Sequence, residues 1–126
     1  QKAGRSMTTK EIGDFGEDAA CRYLQKCGMK IAERNFRIRG GEIDIIARDG
    51  GTTVFVEVKT RKSSEYGNPS EFVNYRKRQK LIKTALFYLG RDDVQMRFDV
   101  AEVLYELRFG KMYVKTINYI KNAFGA

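Results

Sequence analysis

Apolar side chains recur at the three-to-four-residue spacing of an α-helix in two parts of the chain. The first part follows a capping-box pattern formed by Thr8 and Glu11, so we expect a helix that begins near Thr8 and ends at Gly28. Its apolar positions are Ile12, Phe15, Ala19, Tyr23 and Cys27. The second predicted helix covers residues 74–89 and is ended by Gly90. Its apolar positions are Leu81, Ile82, Ala85, Tyr88 and Leu89.

Five further segments are rich in β-branched and aromatic residues and are predicted to be strands. They are residues 29–37, 41–47, 53–60, 97–105 and 111–120. The turn residues Asp49-Gly50-Gly51 should join the second and third strands in a hairpin, and a polar loop is expected over residues 61–69. The order α-β-β-β-α-β-β predicts an α/β sandwich around a central mixed sheet. We expect one domain over residues 8–126, with residues 1–7 as a disordered extension or an artificial N-terminal scar.

The composition restricts the chemistry that this domain can perform. The 126 residues include 24 Lys and Arg, 16 Asp and Glu and no His, which gives a net charge of +8. Without His there is no Ser-His-Asp triad, no Cys-His pair and no histidine metal site. Cys21 and Cys27 are expected to be reduced core thiols of a cytoplasmic protein. No apolar run approaches the roughly 18 residues of a membrane-spanning helix, so no membrane association is expected. The positive charge favours nucleic acid as a partner, although solubility alone would also account for it.

The predicted hairpin brings charged residues together. A two-residue turn at residues 50–51 places Asp44 directly opposite Glu57, and Lys59 leaves the same face of the strand two residues later. Facing carboxylates repel each other, so either Lys59 neutralises them in a structural ion pair or a divalent cation lies between them. Mg²⁺ prefers oxygen ligands and often binds through one or two carboxylates, and the backbone carbonyl of Val58 is close by. The hairpin therefore predicts either an ion cluster or a magnesium site.

The same residues resemble a known nuclease signature. Asp44 followed by Glu57-Val58-Lys59 resembles the PD-(D/E)xK motif of restriction-endonuclease-like nucleases. An ordered set of further segments is similar to the YraN family, which is regarded as a family of predicted endonucleases similar to archaeal Holliday junction resolvases. These segments are residues 16–20, 35–37, 41–47, 54–61, 97–100 and 120–124. One departure from the general motif is Ile43, which stands where that motif has Pro.

The resemblance implies a restriction-endonuclease-like sandwich with a five-stranded mixed sheet flanked by helices. It implies Asp44 and Glu57 as metal ligands, Lys59 as the catalytic lysine, and Mg²⁺ or Mn²⁺ as the cofactor. It also implies Glu17 as a further acid, in agreement with the position of Glu17 at the edge of the first helix's apolar stripe. The expected metal ligands are thus Asp44, Glu57, Glu17 and the carbonyl of Val58, and the expected catalytic residues are Glu17, Asp44, Glu57 and Lys59.

Clustered cations are the predicted nucleic-acid contacts. The second predicted helix carries Arg76, Lys77, Arg78, Lys80 and Lys83, and Lys77 is the first candidate among them. The residues near the strand ends that could hold phosphate are Arg37, Arg39, Arg61 and Lys62. Solvation is the alternative explanation for all of these cations. Asp99 is expected to have a structural role, and the alternative is that it is a partner of Lys59 or of another basic side chain.

Three functional hypotheses follow from the sequence. The first is a metal-dependent endonuclease that cleaves branched or structured DNA, with a homodimer implied by analogy with junction resolvases. The second is a catalytically weak or inactive DNA-binding or repair-accessory module of the same fold. The third is an RNA-directed nuclease, since no residue pattern in the chain reports on the 2′-hydroxyl.

Overall fold

The computed structural model of the protein describes residues 6–65, 73–91 and 94–125. Within these residues, two helices flank a five-stranded sheet. In chain order the elements are α1 (Thr9–Lys26), β1 (Lys30–Ile38), β2 (Gly41–Asp49), β3 (Thr52–Lys62), a 3₁₀ turn (Ser63–Glu65), α2 (Tyr75–Leu89), β4 (Met96–Arg108) and β5 (Lys111–Phe124). The strands lie side by side in sequence order. β3 and β4 are parallel and the other neighbours are antiparallel. The predicted mixed sheet and restriction-endonuclease-like architecture are confirmed.

Helix α1 begins where its capping box predicts. The Glu11 N–H donates to Thr8 Oγ1 at 3.1 Å, and the Thr8 N–H donates to Glu11 Oε1 at 2.8 Å. At the other end the backbone reverses through Gly28, which has a φ of +90°. The prediction that both cysteines lie in the core is wrong for Cys27, which is exposed, whereas Cys21 is buried. Cys27 caps the helix at its C-terminal end, beyond the part that packs on the sheet.

The β2–β3 hairpin has the predicted register over most of its length. Its innermost pair is Asp49 with Thr52, so Gly50 and Gly51 form the turn. Its outermost pair is Ile45 with Val56. The ladder therefore stops one position before Asp44 and Glu57 would pair.

The sheet separates two apolar cores because alternate side chains point to opposite faces. On one face Leu24 of α1 packs with Ile45 and Val56. On the other face Leu81 of α2 packs with Phe55 and other residues of the sheet. Helices α1 and α2 are thus packed against the same central strands from opposite sides.

Helix α2 matches its predicted bounds. Asn74 is the N-cap and accepts the Lys77 N–H through Oδ1 at 2.9 Å, while Gly90 ends the helix with a φ of +73°. The middle of the helix lies close to β2: a Cβ on Gly41 would lie 1.9 Å from Thr84 Oγ1 and 3.5 Å from the Lys80 carbonyl oxygen. This close approach brings the middle of α2 over the start of β2.

Some predictions about segment ends need correction or fall outside the description. The polar loop expected from residue 61 begins later, because Arg61 and Lys62 continue β3. Of the predicted extension at residues 1–7, residues 1–5 lie outside the described residues, as do residues 66–72. None of the helices in the described segments is long and apolar enough to cross a membrane.

Candidate functional site

Asp44 lies at the point where β2 and β3 stop pairing. Its Oδ2 accepts the backbone N–H of Val58 at 2.8 Å, so a side chain continues the contact between the strands beyond the pair of Ile45 and Val56. This bond holds the Asp44 carboxylate in one position beside the backbone of β3. The predicted neighbourhood of Asp44, Glu57 and Val58 is therefore present, with Asp44 fixed by the backbone rather than by cross-strand pairing.

Glu17 reaches the same region from α1. Its Oε1 accepts hydrogen bonds from Asn35 Nδ2 at 2.8 Å and from Arg34 Nη2 at 3.0 Å. Asn35 lies between Arg34 and Phe36, which pair with Ile45 and Ile43 on either side of Asp44, and it has a φ of +54°. Asn tolerates this left-handed conformation better than most residues. Glu17 is thus buried beside Asp44 and held by two side chains of β1.

The electrostatic environment of Asp44 disfavours its negative charge. Burial is the largest cause, followed by the neighbouring Glu57 carboxylate, and together they raise the pKa of Asp44 to about 7. The hydrogen bond from the Val58 N–H acts in the opposite direction. Glu17 and Glu42 raise the pKa of Asp44 further. Asp44 is therefore the centre of an acidic cluster that would be stabilised by a cation.

Glu57 is buried on the face of β3 that α2 covers, and it forms an ion pair with Lys77. The Glu57 side chain is 10% exposed, whereas that of Lys77 is 45% exposed. The carboxylate is thus fixed in the protein interior, and the ammonium reaches it from the surface. In this structure a side chain of α2 supplies the positive charge next to Glu57.

A cleft of about 530 Å³ opens at this acidic cluster, between α2 and the start of β2. Its charged lining comprises three cations and three acids. They are Arg37, Lys77 and Lys80, and Glu42, Asp44 and Glu57. Gly40, Gly41, Ile38 and Leu81 complete the lining. The acids lie near the sheet, and the lysines come from the exposed surface of α2.

Lys59 lies two residues beyond Glu57 on β3, on the same face of the strand, and is exposed. It pairs in register with Glu102 of β4 and is not among the residues that line the cleft. The structure therefore brings together Asp44 and Glu57, with Glu17 beside them, and places Lys59 outside the lining of the cleft.

The predicted nucleic-acid contacts divide into two groups. Lys77, Lys80 and Arg37 line the cleft, and Arg37 also pairs with Glu42 at 3.2 Å. The exposed residues that are not part of the lining are Arg39, Arg76 and Lys83. These three remain accessible cations, Arg39 in the β1–β2 turn and Arg76 and Lys83 on α2.

The other predicted contacts are placed differently. Arg78 donates to the Val73 carbonyl at 3.1 Å and lies over the ring of Phe124. Arg61 forms a 2.8 Å ion pair with the fully buried Glu102. Lys62 lines a second cleft that also includes Tyr105 and Phe109. None of these three cations lines the cleft at Asp44, and each makes its contacts in a different part of the fold.

Asp99 is buried in a network of its own. Its carboxylate accepts two 3.1 Å bonds from Arg97 Nε, a 2.8 Å bond from the Asn122 N–H and a bond from the Tyr119 hydroxyl. Burial, followed by the hydrogen bond that the Tyr119 hydroxyl donates to Asp99, raises the pKa of Tyr119. The expected pairing of Asp99 with a basic side chain is therefore present, and this network is separate from the cleft.

Sequence reasoning did not identify several residues of the site. Arg34 and Asn35 hold Glu17, and Glu42 lies in the cleft. The Asn in the middle of a predicted strand was the available signal for Asn35, since Asn is rare inside strands and tolerates positive φ. No comparable signal marked Arg34 or Glu42.

The possible metal ligands are few. Within the described segments, no three or more His, Cys, Asp or Glu side chains are arranged as a ready metal-binding group. Asp44 and Glu57 are the pair of oxygen donors that face the cleft together with Glu42. A cation held there would rely on these carboxylates, on backbone oxygen and on water.

Comparisons with known proteins identify the family. The pattern of the Uncharacterised protein family UPF0102 matches residues 16–103, which include Glu17, Asp44, Glu57 and Lys77. A UPF0102 protein of Caldicellulosiruptor bescii is 48% identical over 122 residues, covering 94% of this chain and 100% of the relative. UPF0102 proteins of Clostridium botulinum and Persephonella marina are 48% and 47% identical, covering 91% and 89% of this chain and 94% and 91% of the relatives. The chain belongs to the UPF0102 family, which is the YraN family that its motifs resemble.

Proposed function

We propose that this protein is an endonuclease that depends on Mg²⁺ or Mn²⁺ and cleaves phosphodiester bonds in branched or structured DNA. The observation that carries the proposal is the position of Asp44 and Glu57. These two acids meet at the inner end of a cleft whose outer side is lined by Lys77, Lys80 and Arg37. An acidic centre with a basic margin suits a divalent cation next to a phosphodiester.

The donors present fit such a cation. Asp44 is half-buried next to Glu57, and burial, followed by repulsion from Glu57, raises the pKa of Asp44, so a positive charge between them would be stabilising. Mg²⁺ keeps several water ligands and needs only one or two protein carboxylates, which agrees with the small number of acids that face the cleft. A divalent cation at such a site supplies charge neutralisation of the phosphodiester and lowers the pKa of a bound water.

The remaining residues of the site have separate roles in this proposal. Lys77, Lys80 and Arg37 bind the phosphate backbone, because their charges lie along the open side of the cleft. Glu17 adds negative charge behind Asp44 and is kept in place by Arg34 and Asn35. We propose that Lys59 stabilises the negative charge that develops during cleavage. Its exposed side chain reaches the cleft after a modest change of conformation.

A second candidate function is a DNA-binding or repair-accessory module without turnover. The observation that favours it is the ion pair of Lys77 with Glu57, in which a protein cation occupies the carboxylate that would otherwise bind the metal ion. In that case Asp44, Glu57 and Lys77 would be a structural charge cluster under a DNA-binding surface. Either function places the protein with DNA in the cytoplasm, and a homodimer would present two clefts to a branched substrate.

Calorimetric titration of Mg²⁺ and Mn²⁺ tests the proposal. The wild type should bind the cation, and Asp44→Asn should not, whereas Asp14→Asn should bind normally because Asp14 is exposed on α1 and pairs with Lys10. The same three proteins are then incubated with a four-way junction, a flap and linear duplex DNA.

The outcomes separate the two functions. Cation binding and cleavage that both disappear in Asp44→Asn support the endonuclease. Cation-independent DNA binding without cleavage of any substrate supports the accessory module. Cleavage that persists in Asp44→Asn contradicts the assignment of the site.

A further inference from the structure

We propose that Lys77 is the built-in counter-ion of Glu57 in the free protein, and that a divalent cation displaces it so that the freed ammonium binds the substrate phosphate. This inference rests on the proposed function, because it concerns the same cleft. It adds a coupling that the proposed function does not require: cation binding and DNA binding would assist each other through one side chain. Lys77 is a substrate-binding residue in this scheme.

The geometry of the ion pair is suited to such an exchange. Glu57 is buried on β3, the innermost strand of the site, and cannot follow a partner into solvent. Lys77 is nearly half exposed and reaches Glu57 across the cleft on four flexible methylene groups. When a stronger cation takes Glu57, the ammonium can therefore leave while the carboxylate stays.

The position of Lys77 on α2 provides an independent argument. Lys77 lies in the first turn of the helix, and its backbone N–H is bonded to the N-cap Asn74. The helix dipole favours acidic residues in that turn and disfavours cations, and the first turn of α2 carries no acid. Helix stability thus gives no reason for a cation at this position. Glu57 supplies the compensating charge in the free protein, and a phosphate would supply it in the complex.

The coupling follows from the two uses of one side chain. While Lys77 is paired with Glu57, a divalent cation that binds Glu57 must first break this ion pair. The paired ammonium is also not available to bind a DNA phosphate. Once the cation is bound, the freed ammonium lies in the cleft beside Lys80 and increases the attraction for phosphate. Linkage requires the effect to be reciprocal, so DNA should also increase the cation affinity.

The first test measures cation affinity without DNA. Mn²⁺ is titrated calorimetrically at pH 8 into the wild type, Lys77→Met and Lys80→Met. Lys80→Met is the matched control, since it removes the same charge from the same helix and the same cleft. We expect Lys77→Met to bind Mn²⁺ about five- to ten-fold more tightly than the wild type, and Lys80→Met to change the affinity less than two-fold. A lysine that does not compete with the cation for Glu57 would not increase cation affinity when removed.

The second test measures DNA affinity by fluorescence anisotropy, with a labelled four-way junction and Ca²⁺ as a cation that need not support cleavage. The wild type should bind the junction more tightly with Ca²⁺ than with EDTA, and this increment should disappear in Lys77→Met and persist in Lys80→Met. Thermal unfolding of each variant, followed by circular dichroism, establishes that the proteins compared are folded.

The possible failures are distinguishable. Equal Mn²⁺ affinities of Lys77→Met and Lys80→Met would overturn the inference, while the proposed function would stand if Asp44→Asn still abolished binding. Absence of Mn²⁺ binding in every protein, including Lys77→Met, would overturn both.

Discussion

Asp44 accepts the backbone N–H of Val58 through Oδ2 at 2.8 Å, in the position where the β2–β3 ladder has already ended. The hydrogen bond favours an ionised carboxylate, but burial and Glu57 outweigh it and raise the pKa of Asp44 to about 7. Asp44 is thus held rigidly in a place where its charge is unfavourable. Such a conflict between position and charge is common at functional sites.

This conflict predicts an unusual pH dependence of stability in protein free of divalent cations. The folded state holds a proton on Asp44 up to about pH 7, whereas the unfolded chain releases it near pH 3.8. Asp44 therefore favours the folded state at low pH, and its contribution is lost as the pH rises from about 4 to 7. We expect the free energy of unfolding to decrease over that range by an amount on the order of 1–3 kcal/mol.

Urea unfolding in EDTA at intervals from pH 4.5 to 8 measures this effect. Asp44→Asn should flatten the decrease and be the more stable protein at pH 8. Asp14→Asn, which changes an exposed acid, should keep the wild-type profile. The chain contains no His, so no imidazole obscures the range between pH 5 and 7. A decrease that is equally steep in Asp44→Asn would contradict the raised pKa.

The distance between α1 and β3 is set by Gly16. A Cβ at this position would lie 1.7 Å from Thr60 Oγ1 and 2.8 Å from Thr60 Cβ, so the helix backbone would have to move away from the strand. We expect Gly16→Ala to destabilise the protein by about 1–3 kcal/mol and to displace the adjacent Glu17 from Asn35. The displacement should weaken Mn²⁺ binding if Glu17 contributes to the electrostatics of the site.

Gly13→Ala is the matched control for that change. Gly13 lies in the same helix, and a Cβ there would meet no atom within 4 Å. Because Ala is the better helix former, Gly13→Ala should stabilise the protein by about 0.5–1 kcal/mol. Opposite signs for the two substitutions in urea unfolding are the expected result. A loss of stability in both variants would show that helix geometry, not contact with Thr60, determines the effect.

The parts of this structure that depend on neighbouring residues could be predicted from the sequence. The capping box at Thr8 and the turn at Gly50-Gly51 are local, and they fixed the start of α1 and the register of the hairpin. That register also predicted that Asp44 would lie near Glu57, although the ladder ends at Ile45 and Val56 and a hydrogen bond from the Val58 N–H holds Asp44 beyond that point.

The counter-ions of the acids could not be predicted in the same way. Lys77 meets Glu57 because α2 crosses the sheet at a particular height, and that height depends on packing at contacts such as Gly41 with Thr84. Arg61 lies two residues beyond Lys59, yet it pairs with Glu102, which is distant in sequence. Spacing along the chain does not report on such tertiary contacts.

The network around Asp99 should be essential for stability and not for the chemistry of the cleft. Asp99→Ala would leave Arg97, the Tyr119 hydroxyl and the Asn122 N–H without their shared acceptor in the protein interior. We expect the free energy of unfolding to decrease by about 3–5 kcal/mol, because removing one partner of a buried ion pair leaves the other charge buried without compensation. Tyr119→Phe removes one hydrogen bond and should cost about 1–2 kcal/mol.

Urea unfolding of both variants gives these values, and Mn²⁺ titration of Tyr119→Phe gives the comparison with the site. Tyr119→Phe should bind Mn²⁺ with wild-type affinity. Weaker binding would mean that the Asp99 network and the cleft are coupled, contrary to their separation in the structure.

The lysines that line the cleft should dominate the salt dependence of DNA binding. Neutralising both cleft lysines in Lys77→Gln/Lys80→Gln removes two phosphate contacts, so the slope of log affinity against log salt should become shallower by about 2. The measurement is fluorescence anisotropy with a labelled duplex in EDTA at several KCl concentrations. EDTA keeps the cation-dependent part of the interaction out of the comparison.

The matched control removes the same charge from the opposite edge of the sheet. Lys111 and Lys115 are exposed on β5, whereas the cleft lies beside β1 and β2 at the other edge. Lys111→Gln/Lys115→Gln should leave the slope nearly unchanged, because net charge acts at long range and is screened beyond about 10 Å in 0.1 M salt. If the two double variants reduce the slope equally, DNA is attracted by the overall positive charge. If the cleft variant alone does so, the phosphate backbone follows the lysines that lie beside Asp44 and Glu57.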